Sequence, residues 1–224
     1  MRHLLYFFIL FICSCSTTRF VEPLDKGDLA VGINAGGPLL VFSGSSIPLP
    51  LSGVYAGYGL KDNLTVYGSL HTTSLIFQTL QLEAGVRSNL YKGEKLIPSV
   101  SGGLALNGIV DFRAFNSRIY PELSINPYWN YGRWQTYIGA QAWLDFYEGG
   151  TPNNPNNFFV PSLSLGQSVD LGKWNLAFEY KRLGFNIDTD FSVVRYITPG
   201  NIGAQGLYIS AHRLFGYNKK KEIE

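Results

Sequence analysis

The chain of 224 residues is 46% apolar and 15% aromatic, enough for one domain with a core, and only 15% charged, a balance that excludes disorder. Its 18 basic and 16 acidic residues leave a formal charge of +2. That field is too weak to draw nucleic acid, so no nucleic-acid partner is expected.

Arg2 and His3 precede the apolar run 4–12 and then Cys13, Ser14 and Cys15, the order of a secretory signal. The run is too short to span a bilayer. Ile12-Cys13-Ser14-Cys15 resembles a lipobox, in which an aliphatic residue and a small residue precede the cysteine that takes up lipid. The resemblance implies a signal peptide over 1–14, acyl chains such as palmitate on Cys15, and a tether over 15–27. It leaves no cysteine for a disulfide.

From residue 28 to 217 there is no helical period, and apolar and polar residues alternate in runs of about ten or more. The runs fall near 29–37, 51–60, 64–72, 76–91, 96–112, 119–131, 134–147, 159–171, 174–185 and 202–215. In the sixth, Ile119, Leu123, Ile125 and Trp129 share one face, and Tyr120, Glu122, Ser124, Asn126 and Tyr128 share the other. The expected fold is all-β: an antiparallel up-and-down transmembrane barrel of about ten strands over 28–217, followed by a polar tail over 218–224.

The links between runs alternate in kind. Residues 61–63, 92–95, 132–133 and 172–173 form tight polar turns, whereas 38–50, 113–118, 148–157 and 186–200 are longer. Only 73–75 breaks the rule. Long loops on one rim and short turns on the other, with an even strand count, put both termini on the periplasmic side.

Alternation alone also fits a soluble lipocalin-like barrel binding a hydrophobic ligand, with Leu123, Ile125, Ile138 and Leu144 facing inward. Scarce Lys and Glu argue against that surface. Aromatics at both ends of the runs (Tyr58, Tyr91, Trp129, Tyr131, Trp134, Trp174 and Tyr217; Phe112, Phe146, Phe159 and Phe185) are expected as two membrane belts.

The last run, Leu207 to Phe215, resembles the final strand of outer-membrane barrels, whose alternating pattern ends in an aromatic residue read by the assembly machinery; here residues 216–224 follow it. With the lipobox, the pattern resembles small Gram-negative outer-membrane β-barrel lipoproteins. That resemblance implies localisation in the outer membrane by a lipid anchor. It implies outer-membrane lipids, the barrel-assembly machinery and envelope proteins as partners.

No phosphate loop, dinucleotide fingerprint, zinc spacing or nucleophile elbow is present, so no cofactor and no metal are expected, and the expectation is a non-enzyme. The catalytic alternative is an outer-membrane hydrolase using Ser69, His71, Asp111 and Asp145 near the outer mouth. Ten-stranded outer-membrane proteases resemble this in carrying acid and histidine pairs there, and a barrel deacylase in using Ser and His on one strand; neither motif occurs here. Glu83, Arg87, Glu122, Glu179 and Lys181 are expected as a mixed-sign lumen network that neutralises itself. The leading reading is a barrel with a structural or interaction role, or one that conducts small solutes through a narrow pore.

Overall fold

The computed structural model describes residues 17–42, 44–147, 158–188 and 196–216. The signal peptide, Cys15 and the tail over 218–224 lie outside the described residues. The strands are β1 (Leu29–Phe42), β2 (Ser45–Pro48), β3 (Leu51–Lys61), β4 (Leu64–His71), β5 (Thr79–Tyr91), β6 (Ser99–Asp111), β7 (Asn116–Tyr131), β8 (Trp134–Leu144), β9 (Phe159–Asp170), β10 (Trp174–Asp188) and β11 (Ile202–Phe215).

From β3 onward each strand pairs antiparallel with the next, and β1 pairs with β3. The last strand returns to the first, from Leu29 opposite Phe215 to Pro38 opposite Gly206. Ten strands therefore close into a barrel, with β2 folded back on the upper end of β1 as a short hairpin. Closure leaves the ten-stranded ring itself without an edge to pair with another chain, which is what a sheet in hydrocarbon requires.

Several bounds differ from the sequence reading. β7 begins at Asn116, three residues before the expected 119, so the link expected to be long over 113–118 is only residues 112–115. The first strand runs past residue 37 to Phe42 and forms the hairpin with β2. The short link after β4 is a one-turn helix, α1 (Thr72–Ile76), where consecutive apolar residues break the alternation. Residues 96–98 belong to the turn and not to β6: Leu96 is 90% exposed, and its carbonyl accepts a hydrogen bond from Trp129 Nε1 at 3.0 Å.

Pro121 and Pro127 lie inside β7, where a missing N–H would ordinarily break a ladder. Both pair toward β6, opposite Leu106 and Val100, and both fall where the ladder with β8 is not made. Pro127 thus coincides with a gap in the β7–β8 ladder, between the Ile125–Ala140 and Tyr128–Tyr137 pairs, and Pro121 lies just past the ladder's end at Glu122–Trp143.

The alternation resolves into a polar interior and an apolar exterior. Glu83, Arg87, Ser101, Asn107, Glu122, Asn126, Glu179 and Lys181 are buried, while Leu104, Leu106, Ile119, Leu163, Leu165, Phe178 and Ile209 are exposed. This overturns the lipocalin-like alternative, because Leu123, Ile125 and Ile138 point outward, each more than two-fifths exposed. Water would penalise such a contiguous apolar exterior, whereas a bilayer would cover it. Tyr58, Tyr91, Tyr131, Trp134 and Trp174 are exposed near the short turns, as are Phe112, Phe146, Phe159 and Phe185 near the long loops.

Candidate functional site in the barrel lumen

The sequence reads 15–27 as a tether, and the structure places most of it inside the barrel. Thr17, Thr18, Arg19, Phe20, Val21, Pro23 and Leu24 are buried within the ring of strands. The segment enters at the short-turn rim, where Gly27 N donates to Gly59 O at 2.8 Å and Lys26 N to Asp62 Oδ1 at 3.2 Å. Gly27 turns the chain into β1 with a φ of 86°, a conformation that favours glycine.

The segment forms no strand; isolated bonds to the wall hold it. Leu24 N donates to Thr65 Oγ1 at 2.7 Å, and Ser101 Oγ donates to Val21 O. Thr18 N reaches both carboxylate oxygens of Glu179, at 3.3 and 3.2 Å. Phe20 packs among Tyr55, Tyr67 and His212, with ring centroids 5.7, 6.2 and 5.5 Å away. Its ring lies directly over Gly57, where any Cβ would collide with it.

Arg19 makes the strongest contact. Its Nε and Nη2 donate to Glu83 Oε2 at 3.2 and 3.1 Å, and Nη2 also donates to Ser69 Oγ at 2.9 Å. Ser69 Oγ in turn donates to Glu83 Oε2 at 2.8 Å. The guanidinium carbon stands 5.3 Å from the Tyr55 ring centroid, within cation–π range.

The five lumen charges singled out from sequence are all buried, and each of the three carboxylates has its own hydrogen-bonded neighbours. Glu83 is matched by Arg19, a residue of the segment read as a tether. Glu122 accepts from three neutral donors: Trp143 Nε1 at 2.8 Å, Gln141 Nε2 at 3.0 Å and Asn107 Nδ2 at 3.3 Å. Glu179 accepts from Tyr137 Oη at 3.0 Å and has Lys181 Nζ at 3.9 Å. Arg87 Nε and Nη1 have no hydrogen-bond partner among the described residues. Inward glycines make room for large side chains, with the Tyr67 ring over Gly85 and the Tyr137 ring over Gly166.

The candidate catalytic residues do not converge. The Ser69 hydroxyl is engaged by Glu83 and Arg19. Asp111 accepts from the backbone of Arg113 at 2.8 Å and faces its side chain at 3.6 Å, and Asp145 accepts from Tyr147 N at 2.9 Å. Both carboxylates thus cap their own loops. His71 is buried, and its Nε2 has no hydrogen-bond partner among the described residues. Among the described residues no carboxylate is hydrogen-bonded to this imidazole, the arrangement that would orient it toward a serine for nucleophilic catalysis.

No family model matches the chain, and no curated protein matches it. Solved outer-membrane barrels do match in fold. The COG4313 outer membrane channel from Pseudomonas putida F1 is 12% identical, with 89% of this chain and 100% of that chain covered and a TM-score of 0.51. The KdgM porin is 8% identical over 83% of this chain and 99% of that chain, with a TM-score of 0.41. The outer membrane protein OprG from Pseudomonas aeruginosa is 14% identical over 87% and 99%, with a TM-score of 0.33. At these identities the likeness is one of fold. That fold, a closed antiparallel barrel, agrees with the exposed apolar belt of this chain.

Sequence reasoning missed Arg19 and Phe20, although two signals point to them. The inward residues of the central wall include three carboxylates (Glu83, Glu122, Glu179) and two cations (Arg87, Lys181), which calls for one more positive charge. Gly57 and Gly59 also leave two successive inward positions of β3 without a side chain, and Phe20 and Asp25 fill that space.

Proposed function

We propose that the protein is a lipid-anchored outer-membrane channel of narrow bore, occluded by its own residues 17–25 and conducting small solutes when that segment withdraws. The observation that carries this reading is the manner of docking. The segment fills the lumen through side-chain contacts and single hydrogen bonds, so it can leave without breaking a strand ladder. Below it, a cavity of about 420 Å³ reaches from rim residues Asp62, Asp170 and Asn175 up to Arg19. Arg87 and Asn126, on the wall around residues 21–24, and Gln81, higher in the wall, carry buried polar atoms with no hydrogen-bond partner among the described residues, which favours a hydrated interior. The fold relative from Pseudomonas putida is itself named a channel.

Acylation at Cys15 fits the same cycle. Thr17 is buried in the lumen and stands two residues from Cys15, a span of at most about 7 Å. Docking of Thr17 in the lumen and insertion of a lipid on Cys15 into the bilayer would pull this short span in opposite directions. The anchored chain is therefore the open one, with both termini periplasmic and the long loops outside.

Conductance of the purified protein in planar bilayers tests the channel. A native chain that conducts more when acylated than as Cys15→Ala supports the reading, and no conductance from either form leaves a structural role in its place. Acyl labelling lost in Cys15→Ala supports the anchor. A tag after Glu224 that stays protected from protease on intact cells supports the orientation, and its surface exposure would invert it.

A further inference from the structure

The surroundings of Arg19 amount to a binding site whose present occupant belongs to the same chain. The wall supplies the Glu83 carboxylate, the Ser69 hydroxyl and the Tyr55 ring face, from β5, β4 and β3. Glu83 and Ser69 are nine-tenths or more buried, and their mutual hydrogen bond aims the carboxylate before any guanidinium arrives. These parts belong to the closed barrel, whereas Arg19 reaches them on a segment joined to it at Gly27.

When the segment leaves, Glu83 loses its only ion-pair partner among the described residues. A buried carboxylate left without a counter-charge is strongly unfavourable, so the vacated place attracts a cation. One carboxylate and one hydroxyl supply too few oxygens for a divalent metal ion. A planar fork of N–H donors above an aromatic face fits a guanidinium.

We infer that Glu83, Ser69 and Tyr55 form a lumenal site for guanidinium-bearing solutes, which Arg19 fills while the segment is docked and which makes the open pore cation-selective. The inference rests on the channel reading above for its role in transport. The site itself does not depend on conduction.

The test uses full-length Arg19→Ala protein refolded in detergent, with unfolding followed by heat-modifiable gel mobility. Guanidinium chloride at about 10 mM should raise its melting temperature by about 2–4 °C over the same concentration of potassium chloride, and should leave the native protein unmoved. Adding Glu83→Gln to Arg19→Ala should abolish the difference. Equal effects of the two salts on folded Arg19→Ala, or a guanidinium response that survives Glu83→Gln, would overturn the site. Should Arg19→Ala fail to fold, Arg19→Gln keeps a hydrogen-bond donor toward Glu83 without the charge and enters the same comparison.

Reversal potentials of Arg19→Ala across a potassium chloride gradient separate the two claims. A cation-preferring current that weakens in Glu83→Gln supports both. Guanidinium stabilisation without any current leaves the site standing and sinks the channel. Current without guanidinium preference does the reverse.

Discussion

Phe20 lies so close over Gly57 that a methyl group on that glycine would occupy the space of its ring. Tyr55, Tyr67 and His212 surround the ring, so it cannot swing aside without disturbing them. Gly57→Val should therefore expel the segment while the barrel, whose β3 ladders do not involve Phe20, still closes. Expected outcomes are a higher open fraction in bilayer recordings and proteolysis within 17–25 from the periplasmic side. An unchanged, fully protected segment would show that it docks without that contact.

The outer surface can be probed by depth. Leu104 sits near the middle of β6 and is 58% exposed, whereas Tyr91 ends β5 at the short-turn rim. Leu104→Arg should lower stability in vesicles by about 2–4 kcal/mol, and Tyr91→Arg by about 0–1 kcal/mol. Urea unfolding of vesicle-inserted protein measures both. Similar small costs at the two positions would mean that no hydrocarbon covers Leu104.

Glu122 offers a test of satisfaction by neutral hydrogen-bond donors. It is held by Asn107, Gln141 and Trp143, all neutral donors. Glu122→Gln would turn one acceptor into a donor facing other donors, at a cost of about 1–3 kcal/mol. The measurement is the urea midpoint, and a neutral or stabilising substitution would show that the three donors do not hold the group.

Gly166 lies beneath the Tyr137 ring, whose hydroxyl is bonded to Glu179. Gly166→Ala forces the ring off its place and should destabilise the barrel by about 1–3 kcal/mol. Combining it with Tyr137→Phe should cost less than the sum of the two single changes, because both act on one ring. Strict additivity in a double-mutant cycle would contradict the contact.

The barrel was legible because each wall residue is set against its neighbour. Glu122 and Leu123 are adjacent in sequence, one buried and one 46% exposed, and period-two alternation is all that is needed to read them. The occupant of the lumen was hidden because residues 17–25 pair with no strand and carry no period. Their burial is dictated by the far wall, through Gly57, Glu83 and Glu179, which lie 37, 64 and 161 positions from Phe20, Arg19 and Thr18 in sequence. Ser69 shows the same limit. Its spacing of two from His71 suggested a shared task, but register places Ser69 opposite Glu83, and that pairing determines what its hydroxyl does.

Because the first ladder begins only at Leu29, the wall and its occupant are thermodynamically separable. Withdrawal of residues 17–25 is a local opening, with a free energy set by a few contacts and far below that of unfolding the closed ring. Amide hydrogens at Thr18 and Leu24 should therefore exchange on a clock of their own, while those of β1 keep the slow rate of the whole barrel.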